Sequence, residues 1–555
     1  MGKLVALQTK NMPSPGYYPP TIQDPDPRVI IKEHELLSDL TSYAEKVLSD
    51  AHRAYPDQTS LRVFRHGNEI SRVGSDDVFG IALTPADKDG LYGVLIRAGI
   101  WLRAYESDDG HGGVKIHLMR VDPPRKMVLD LMSWPDLQAP KIRGIASHPM
   151  LRPDGQWAGV KPGYDPDTEY WYAESGPIPR LAVDDAKHFL FDWLADFPID
   201  QGGKADLIGM MIGNILRPWL TAHGQWSQPG LVFDASEPGS GKTLLAQGIA
   251  AILTGQGNYH IQSCPESDEE WRKNITSWVQ LAAPVQIYDN LPQKGALDSG
   301  SLAALLTSGH WRDRLLGHNT VINAPVSCQV IFTGNNVALS SELSRRVVWI
   351  RLVPAVDQPW MRKSTEFQHP TNWPIEHRAE LLGALVALIH QWVDAGMPMS
   401  RDATMGSYEV WAQAVGGVLE ANGIPGFLTN RDKATARLDE DRQVWLGFLG
   451  AWYDRFGEQP VRTKDLWTLV EDGTITLPWF RAKDEDGKRK QLGTRIRNKA
   501  DAVIGSWQIQ DEGYDRTNVR LYRLVKIGEA EPSEPEPHNE VTTDSDNVNV
   551  LEVKF

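Results

Sequence analysis

The sequence is poor in cysteine and has no long apolar run. Its two cysteines among 555 residues, Cys264 and Cys328, cannot by themselves form a disulfide framework or a zinc site. No apolar stretch approaches the ~20 residues that a membrane-spanning helix needs. The first six residues lack the apolar core of a secretion signal. These absences predict a cytoplasmic protein with no membrane segment.

The acidic character of the chain is uneven. The formal net charge is −15, yet residues 529–555 contain eight acidic residues and one basic residue. Residues 481–526 contain twelve basic and seven acidic residues. Because the acid is concentrated in a tail that follows a basic segment, the net charge does not exclude a nucleic-acid partner.

Apolar periodicity and turn-forming residues divide the chain into six segments. Strand-like runs such as 94–97 and 114–118 alternate with turns in the N-terminal part, and strands alternate with helical patterns after residue 200. The last folded part has the pattern of three helices followed by two strands, which suits a winged helix. We predict an irregular lead-in at 1–28, an α+β domain acting as a collar or docking surface at 29–180, an α/β core at 181–354, a helical lid or connector at 355–438, a winged-helix-like domain at 439–526 and a disordered acidic tail at 527–555.

A glycine-rich loop joins a strand pattern to a helix pattern in the core. Residues 235–243 read Ala-Ser-Glu-Pro-Gly-Ser-Gly-Lys-Thr between two apolar runs. This is the order of a P-loop, whose backbone N–H groups and helix N-terminus bind phosphate, although Ser236 stands where the pattern has glycine. Lys242 is expected to reach the β- and γ-phosphates of ATP, and Thr243 to bind Mg²⁺. The residues assigned to the nucleotide are Pro238, Gly239, Ser240, Gly241, Lys242, Thr243 and Leu244.

A second strand pattern ends in a carboxylate about 45 residues downstream. The apolar run 285–288 is followed by Asp289, which is the Walker B pattern, so Asp289 is the second predicted Mg²⁺ ligand. Asn290 follows where many related ATPases carry a glutamate that activates water. Asn290 could orient the water instead, or Glu269 or Glu270 on the preceding helix could replace the missing base.

Polar residues at two further positions complete the predicted catalytic set. Asn335 and Asn336 end the next apolar strand pattern, and Asn335 is the first candidate to position the attacking water. Arg345 and Arg346 precede another strand, where an arginine could act on the γ-phosphate bound by a neighbouring subunit. The sequence does not distinguish these two arginines. Arg378, at the start of a helix pattern, is a weaker candidate for sensing phosphate.

The order of these motifs resembles AAA+ ATPases and, more narrowly, superfamily 3-type helicases of phages, plasmids and integrative elements. Residues 343–352, Leu-Ser-Arg-Arg-Val-Val-Trp-Ile-Arg-Leu, and 406–411, Gly-Ser-Tyr-Glu-Val-Trp, are similar to helicase-like proteins of actinobacterial mobile elements. The resemblance covers about 140–525 and departs from the pattern at Ser236 and Asn290. It implies an AAA+ type P-loop NTPase core. It also implies a homo-oligomeric ring, usually a hexamer, that works at a replication fork or origin beside a primase or other replication protein.

Two basic segments are candidates for DNA contact. Residues 311–323 have the pattern of a β-hairpin, and in the helicases that the sequence resembles a hairpin at this place points into the ring channel. A loop that follows phosphates needs cationic or amide donors. A basic helix is predicted in the winged-helix-like domain, where a solvated face is an equally good interpretation. The candidate DNA-binding residues are Arg312, Arg314 and His318 in the hairpin and Lys488, Arg489, Arg495 and Lys499 in the helix.

Three functions remain open at this stage. The first is an ATP-driven helicase or translocase of a mobile genetic element that acts on single-stranded and forked DNA during replication. The second is an AAA+ initiator or helicase loader that binds an origin and remodels it without processive unwinding. The third is a sensor or defence ATPase in which ATP controls assembly, an option that Asn290 keeps open.

Overall fold

The computed structural model describes residues 5–7, 16–18, 28–31, 36–54, 62–76, 80–108, 111, 113–133, 139–173, 175–257, 259–291, 296–315, 321–354, 372–429, 440–480 and 484–527. The chain divides into two compact units, Met1–Glu440 and Asp441–Phe555. This division lies close to the boundary predicted between residues 438 and 439. The segments predicted at 29–180, 181–354 and 355–438 belong to one compact unit. Apart from residue 527, the predicted acidic tail lies outside the described residues.

The N-terminal part of the first unit is an α+β structure with two sheets. Its strands are β1 (Val5–Leu7), β2 (Gly16–Tyr18), β3 (Arg28–Ile31), β4 (Val63–His66), β5 (Glu69–Asp76), β6 (Gly80–Pro85), β7 (Ile100–Asp108) and β8 (Val114–Arg120). One sheet has the order β1-β8-β7-β3-β2 and the other the order β4-β5-β6. Helices α1 (Leu37–Ala54), α2 (Lys88–Ala98) and α3 (Arg125–Ser133) share a buried apolar core with the first sheet.

Two sequence predictions are wrong in this part. The lead-in at 1–28 is not irregular throughout, because β1 and β2 form the two edges of the first sheet. Edge strands tolerate neighbouring prolines, which is why a proline-rich segment can contribute them. The run 94–97, predicted as a strand, lies in α2, whose N-cap Asp87 accepts a 2.7 Å hydrogen bond from the Gly90 N–H. Three consecutive apolar residues are too few to distinguish a strand from a buried helix.

A small sheet connects the N-terminal part to the core. Its strands are β9 (Gly144–Ala146), β12 (Gly163–Asp165) and β13 (Tyr170–Tyr172), and a separate hairpin of β10 (Met150–Leu151) and β11 (Trp157–Ala158) lies between β9 and β12 in the chain. Strands β12, β13 and β9 pair in that order. Leu151 belongs to the same apolar core as the central sheet, which shows why this segment does not form a separate compact unit.

The centre of the first unit is a five-stranded sheet in which every pair is parallel. The strands after the small sheet are β14 (Gly230–Ala235), β15 (Ile261–Ser263), β16 (Val285–Asp289), β17 (His310–Arg314), β18 (Val321–Pro325), β19 (Gln329–Asn335) and β20 (Val347–Leu352). The sheet has the order β15-β16-β19-β14-β20, and β17 and β18 form a separate antiparallel hairpin. Because β19 lies between β14 and β16, Asp289 and Asn335, which end β16 and β19, lie at the same edge of the sheet as the loop that follows β14.

Helices surround this sheet and join it in one apolar core. They are α4 (Val183–Ala195), α5 (Gln201–Ile215), α6 (Arg217–Ala222), α7 (Lys242–Thr254), α8 (Asp268–Gln280), α9 (Gly300–Thr307), α10 (Ser341–Ser344), α11 (Trp373–Glu376), α12 (Arg378–Asp394) and α13 (Glu409–Ala421). The last three lie in the segment predicted to be helical. Cys328 is buried and Cys264 half-buried, and both are free thiols.

The second unit combines three helices with a small antiparallel sheet. Its elements are α14 (Glu440–Phe456), β21 (Val461–Arg462), α15 (Thr463–Glu471), α16 (Glu485–Asn498), β22 (Val503–Ile504), β23 (Trp507–Tyr514) and β24 (Arg520–Lys526). The sheet has the order β21-β24-β23-β22. Its core contains four buried tryptophan side chains, those of Trp445, Trp452, Trp467 and Trp479.

Membrane-spanning helices were sought among the described residues, and each helix there is too short or too polar to cross a bilayer.

The turn between β4 and β5 contacts the free edge of β18. Gly67 has φ +63°, and Asn68 forms three hydrogen bonds with β18. Its Nδ2 donates to the Val321 carbonyl (2.6 Å), its Oδ1 accepts from the Asn323 N–H (2.7 Å), and its N–H donates to the Asn323 carbonyl (3.1 Å). The N-terminal part therefore holds one edge of the β17–β18 hairpin.

Gly67→Ala tests this contact. A Cβ at Gly67 would collide with the Asn323 carbonyl, and backbone atoms cannot move aside as a flexible side chain can. We expect a loss of about 3 kcal/mol or more in the free energy of unfolding, measured by urea titration. Gly176 is the matched control, since it has φ +73° with open space around it. Gly176→Ala should cost only the backbone strain, about 1–2 kcal/mol. Equal losses for the two variants would contradict the contact.

His66, next to this turn, makes the stability of the first unit sensitive to acid. His66 is fully buried, and burial lowers its pKa from 6.5 to about 4, against the opposing effect of the Pro325 carbonyl. Between these values the unfolded chain binds more protons, so stability is full above pH 6.5 and falls as the pH drops toward 4. The contribution of His66 should make the free energy of unfolding about 2 kcal/mol lower at pH 5 than at pH 7.

Urea titrations at pH 7 and pH 5 measure this effect. His66→Leu should remove about 2 kcal/mol of the difference between the two pH values. Burial also lowers the pKa of His148 to about 4. His148 should therefore contribute a similar part of the difference between the two pH values, and this part should remain in His66→Leu. An unchanged difference in His66→Leu would contradict the assignment.

Candidate active site

The P-loop connects β14 to α7 in the order that the sequence predicts. Gly239 and Gly241 have φ values of +75° and +100°, a region that favours glycine. A Cβ at Gly241 would lie 3.2 Å from the Phe197 ring, so this position is also restricted by packing. Ser236, which replaces the first glycine of the pattern, is exposed and has no positive φ, so glycine is not required there.

Lys242 occupies the first turn of α7 and contacts the end of β19. Its Nζ donates to Asn335 Oδ1 (2.7 Å), to Ser240 Oγ (3.0 Å) and to the Glu237 carbonyl (3.3 Å). Burial lowers the pKa of the Lys242 ammonium, whereas the carboxylates of Asp234 and Asp289 oppose that shift. The structure thus brings together Lys242 and Asn335, two residues predicted from separate motifs.

Asp289, at the end of β16, accepts hydrogen bonds from three side chains. Its Oδ1 accepts from Thr243 Oγ1 (2.9 Å) and from the Thr333 hydroxyl, and its Oδ2 accepts from Asn290 Nδ2 (3.0 Å). A carboxylate and a hydroxyl in contact offer oxygen ligands of the kind that Mg²⁺ prefers. Thr243 and Asp289 therefore fit the predicted magnesium site. No group of three or more histidine, cysteine or acidic residues suited to a metal occurs in the described ranges.

Asn290 supports Asp289 and does not offer a base. It has φ +58°, a conformation in which asparagine is enriched, and its amide donates to Asp289. Glu269 and Glu270, the alternative bases, both form ion pairs with Lys273, at 3.0 and 2.9 Å. The hydrogen bond with Lys273 lowers the pKa of Glu269. Both glutamates are exposed at the start of α8 and are already engaged by that lysine.

A buried ion pair beneath the P-loop was not predicted. Asp234 in β14 and Arg351 in β20 are register partners and form an ion pair. Asp234 Oδ1 also accepts from the Val337 N–H (3.0 Å), and Arg351 Nη2 donates to Asn336 Oδ1 (3.4 Å). Asn336 is thus part of this supporting network, while Asn335 contacts Lys242. The signal in the sequence is one charged residue inside each of two otherwise apolar strands.

The three candidate arginines have different surroundings in the structure. Arg346 is committed within its own subunit, since it donates to Thr307 Oγ1 (2.8 Å) and pairs with Glu342 (3.2 Å). Arg345 is exposed, and its guanidinium has no hydrogen bond or ion pair with the described residues, while its backbone N–H donates to the Leu343 carbonyl.

Arg378 has a structural role. It is buried and donates to three backbone carbonyls, those of Ile252 (2.9 Å), Ser175 (3.3 Å) and Ser147. Burial lowers its pKa to about 10. Its guanidinium is therefore engaged by the chain itself, and the prediction that Arg378 senses phosphate is wrong.

The predicted hairpin is present as β17 and β18. Arg312 and Arg314 are exposed on β17, and Arg312 has no hydrogen bond or ion pair within the described part of the chain. His318 lies outside the described residues. On the opposite face, Trp311 Nε1 donates to Thr276 Oγ1 of α8 (2.9 Å), and Asp313 accepts from the same hydroxyl (2.8 Å). Helix α8 therefore supports one face of the hairpin, and Arg312 and Arg314 are exposed on the other face.

In the second unit, the basic helix α16 uses part of its predicted DNA-binding set for packing. Arg489 lies over the Trp467 ring at 5.8 Å, and Arg495 over the Trp479 ring at 5.1 Å. Lys488 and the C-cap Lys499 are half-buried. The exposed cations on this helix are Lys490 and Arg497, seven residues apart and thus on one face.

No known protein family and no curated protein sequence matches the chain. Solved structures with similarity include the apo NrS-1 C-terminal region, with 10% identity over 78% of this chain and 99% of that chain and a TM-score of 0.36. An active helicase named SCCmec type IV Cch has 12% identity over 82% of this chain and 97% of that chain, with a TM-score of 0.34. The JCV helicase has 14% identity over 46% and 73%, with a TM-score of 0.19. Scores of this size do not establish a shared fold.

Proposed function

We propose that the protein is an ATP-driven motor of the AAA+ type that moves along single-stranded DNA and separates forked duplexes. The observation that carries the proposal is the meeting of Lys242, Thr243, Asp289 and Asn335 at one edge of a parallel sheet, in contacts of 2.7–2.9 Å. These residues come from two strand ends and the first turn of one helix. Their combination of a cation, two magnesium-binding oxygens and an amide matches what hydrolysis of a nucleoside triphosphate needs.

The side chains have separate roles in the proposed reaction. Lys242 and the backbone N–H groups of residues 239–244 bind and orient the phosphates of ATP. Thr243 and Asp289 would hold Mg²⁺, which when bound neutralises phosphate charge. Asn290 and Thr333 keep the Asp289 carboxylate in position.

Asn335 of the subunit that binds ATP and Arg345 of an adjacent subunit complete the proposed site. The Asn335 Oδ1 atom is occupied by Lys242, so its amide N–H groups remain to position the attacking water. Arg345, whose guanidinium is exposed and has no partner among the described residues, is proposed to contact the γ-phosphate bound by the adjacent subunit. This requires a homo-oligomer, and we propose a hexameric ring.

The proposed DNA contacts lie on both units. Arg312 and Arg314 of the hairpin would follow the phosphates of a single strand. The second unit is proposed to act as a winged helix, whose exposed Lys490 and Arg497 would contact duplex phosphates. A mobile-element replication system, with a primase or other replication protein as partner, is the setting that the sequence resemblance suggests.

A forked-duplex assay tests this function. A fluorescently labelled strand should be released from a fork when ATP and Mg²⁺ are present. Release should be lost in Lys242→Ala and when ATP is replaced by a non-hydrolysable analogue. Tight fork binding with no release of the labelled strand would contradict the motor.

Two other functions have support from particular residues. An initiator or loader is favoured by the exposed cations of α16, and it would bind duplex DNA without releasing a strand. A sensor or defence ATPase is favoured by Asn290, and it would assemble with ATP independently of DNA and show negligible turnover. The same assay, combined with native mass measurements, separates these alternatives.

A further inference from the structure

Trp226 is the most exposed tryptophan in the described part of the chain, and its position is fixed by its neighbours. Its side chain is 45% exposed. The Arg143 guanidinium lies over its ring at 5.1 Å, and Arg143 is held by an ion pair with Glu169 at 2.8 Å. A Cβ at Gly309 would collide with the base of the Trp226 side chain, so the two backbones approach closely. An exposed aromatic ring is thus held in place before any partner arrives.

This tryptophan lies at the beginning of the β17–β18 hairpin. The ring of His310, the first residue of β17, is 6.0 Å from the Trp226 ring. His310, Arg312 and Arg314 alternate along β17 and are all exposed, whereas Trp311 between them is buried. Because alternate residues of a strand share a face, these three form one row. The row leads from an exposed aromatic ring toward the hairpin tip.

A polar cavity of about 420 Å³ adjoins Trp226. It is lined by Gln225, Ser227, Thr307, His310 and Ser407 among others. Its volume is sufficient for a nucleobase, and the Ser227 and Ser407 hydroxyls in its lining can form hydrogen bonds with the edges of a base. The surroundings of Trp226 therefore differ from those of an apolar contact patch.

We propose that Trp226 is a stacking platform for a base of single-stranded nucleic acid whose phosphates lie along the His310, Arg312 and Arg314 face of β17. Aromatic rings combined with cations are the features by which proteins bind single strands without reading sequence, because every base has a π-face. The inference rests on the proposed function, since it concerns the same polynucleotide. It adds a residue and a type of contact that the hairpin cations alone do not supply.

Two substitutions with different chemistry test the platform. Trp226→Phe keeps an aromatic face, while Trp226→Leu keeps apolar volume without one. We expect Trp226→Leu to weaken binding of a single-stranded oligonucleotide about 5- to 100-fold, and Trp226→Phe to weaken it less than about 3-fold. Fluorescence of an oligonucleotide carrying 2-aminopurine should be quenched by the wild type and by Trp226→Phe, but not by Trp226→Leu. Thermal unfolding of both variants reports whether they are folded.

The dependence of binding on salt separates stacking from charge. Arg312→Gln should reduce the slope of log affinity against log salt by about 1, whereas Trp226→Leu should leave the slope unchanged. Equal affinities of Trp226→Leu and wild type would overturn the platform while leaving the motor intact. A fall in native mass with unchanged affinity would also overturn it, because Trp226 would then be a contact between copies of the chain. If the wild type binds no single strand, the inference and the proposed function both fail.

Discussion

Lys242→Ala is expected to lower kcat for ATP hydrolysis at least about 100-fold, the usual loss when one positioned donor to a reacting anion is removed. Lys242 is buried and is the only side chain shown to connect the P-loop with Asn335 within the described residues. Its removal therefore takes away both a phosphate contact and the partner that orients the Asn335 amide. Steady-state phosphate release at saturating ATP measures the effect.

A second lysine variant provides the control for this experiment. Lys187 lies on α4 and pairs with Asp184 at 2.9 Å, as a surface lysine does. Lys187→Ala should keep the wild-type rate, because surface ion pairs contribute little. If Lys242→Ala also retained more than half of the wild-type rate, the P-loop assignment would be wrong.

Arg345→Ala is expected to lower kcat by roughly 10³- to 10⁵-fold, the range for an arginine that contacts the transferred phosphate from another subunit. Arg345 suits this role because it is exposed and has no partner among the described residues. Arg346→Ala should instead lower the unfolding midpoint, because Arg346 connects α9 and α10 through Thr307 and Glu342. Rates and unfolding midpoints of both variants distinguish the two roles.

Mixing two inactive variants tests whether Arg345 acts between subunits. Lys242→Ala subunits still carry Arg345, and Arg345→Ala subunits still carry Lys242. If the site is shared, a mixed oligomer contains some interfaces with both residues, and part of the activity should return. If Arg345 acts within its own subunit, every site lacks one residue and mixing should restore nothing.

The convergence of the active-site residues could be predicted because it depends on local patterns. Each apolar run that ends in a polar residue predicts a strand, and parallel strands place their carboxyl ends at one edge. Asp289 and Asn335 are predicted in this way and Lys242 from the glycine-rich loop, and the structure brings Lys242 to Asn335 and Thr243 to Asp289. Their chemical roles remain predictions that the kinetic experiments above address.

Contacts between distant segments could not be read from these patterns. The Asp234–Arg351 ion pair depends on strand order, which puts β20 beside β14. The burial of Arg378 depends on carbonyls contributed by three distant segments. The different surroundings of Arg345 and Arg346 depend on the position of Thr307.

The contacts between the side chains of a helix and other elements also could not be predicted from the sequence pattern. The charge of α16 was predicted, but its tryptophan contacts were not, because nothing local places Trp467 and Trp479 beside Arg489 and Arg495. These contacts leave Lys490 and Arg497 as the exposed cations. Spacing on a helix identifies which residues share a face, whereas tertiary contacts decide which face remains exposed.

The most direct test of the central claim is the ATPase rate of the wild type with and without single-stranded DNA. A motor whose hairpins hold the strand should hydrolyse ATP faster when the strand is bound. We expect stimulation of about tenfold or more, equivalent to about 1.4 kcal/mol off the barrier. An unchanged rate, with ATP bound tightly and DNA present at saturation, would contradict a translocating motor and favour a nucleotide-controlled switch.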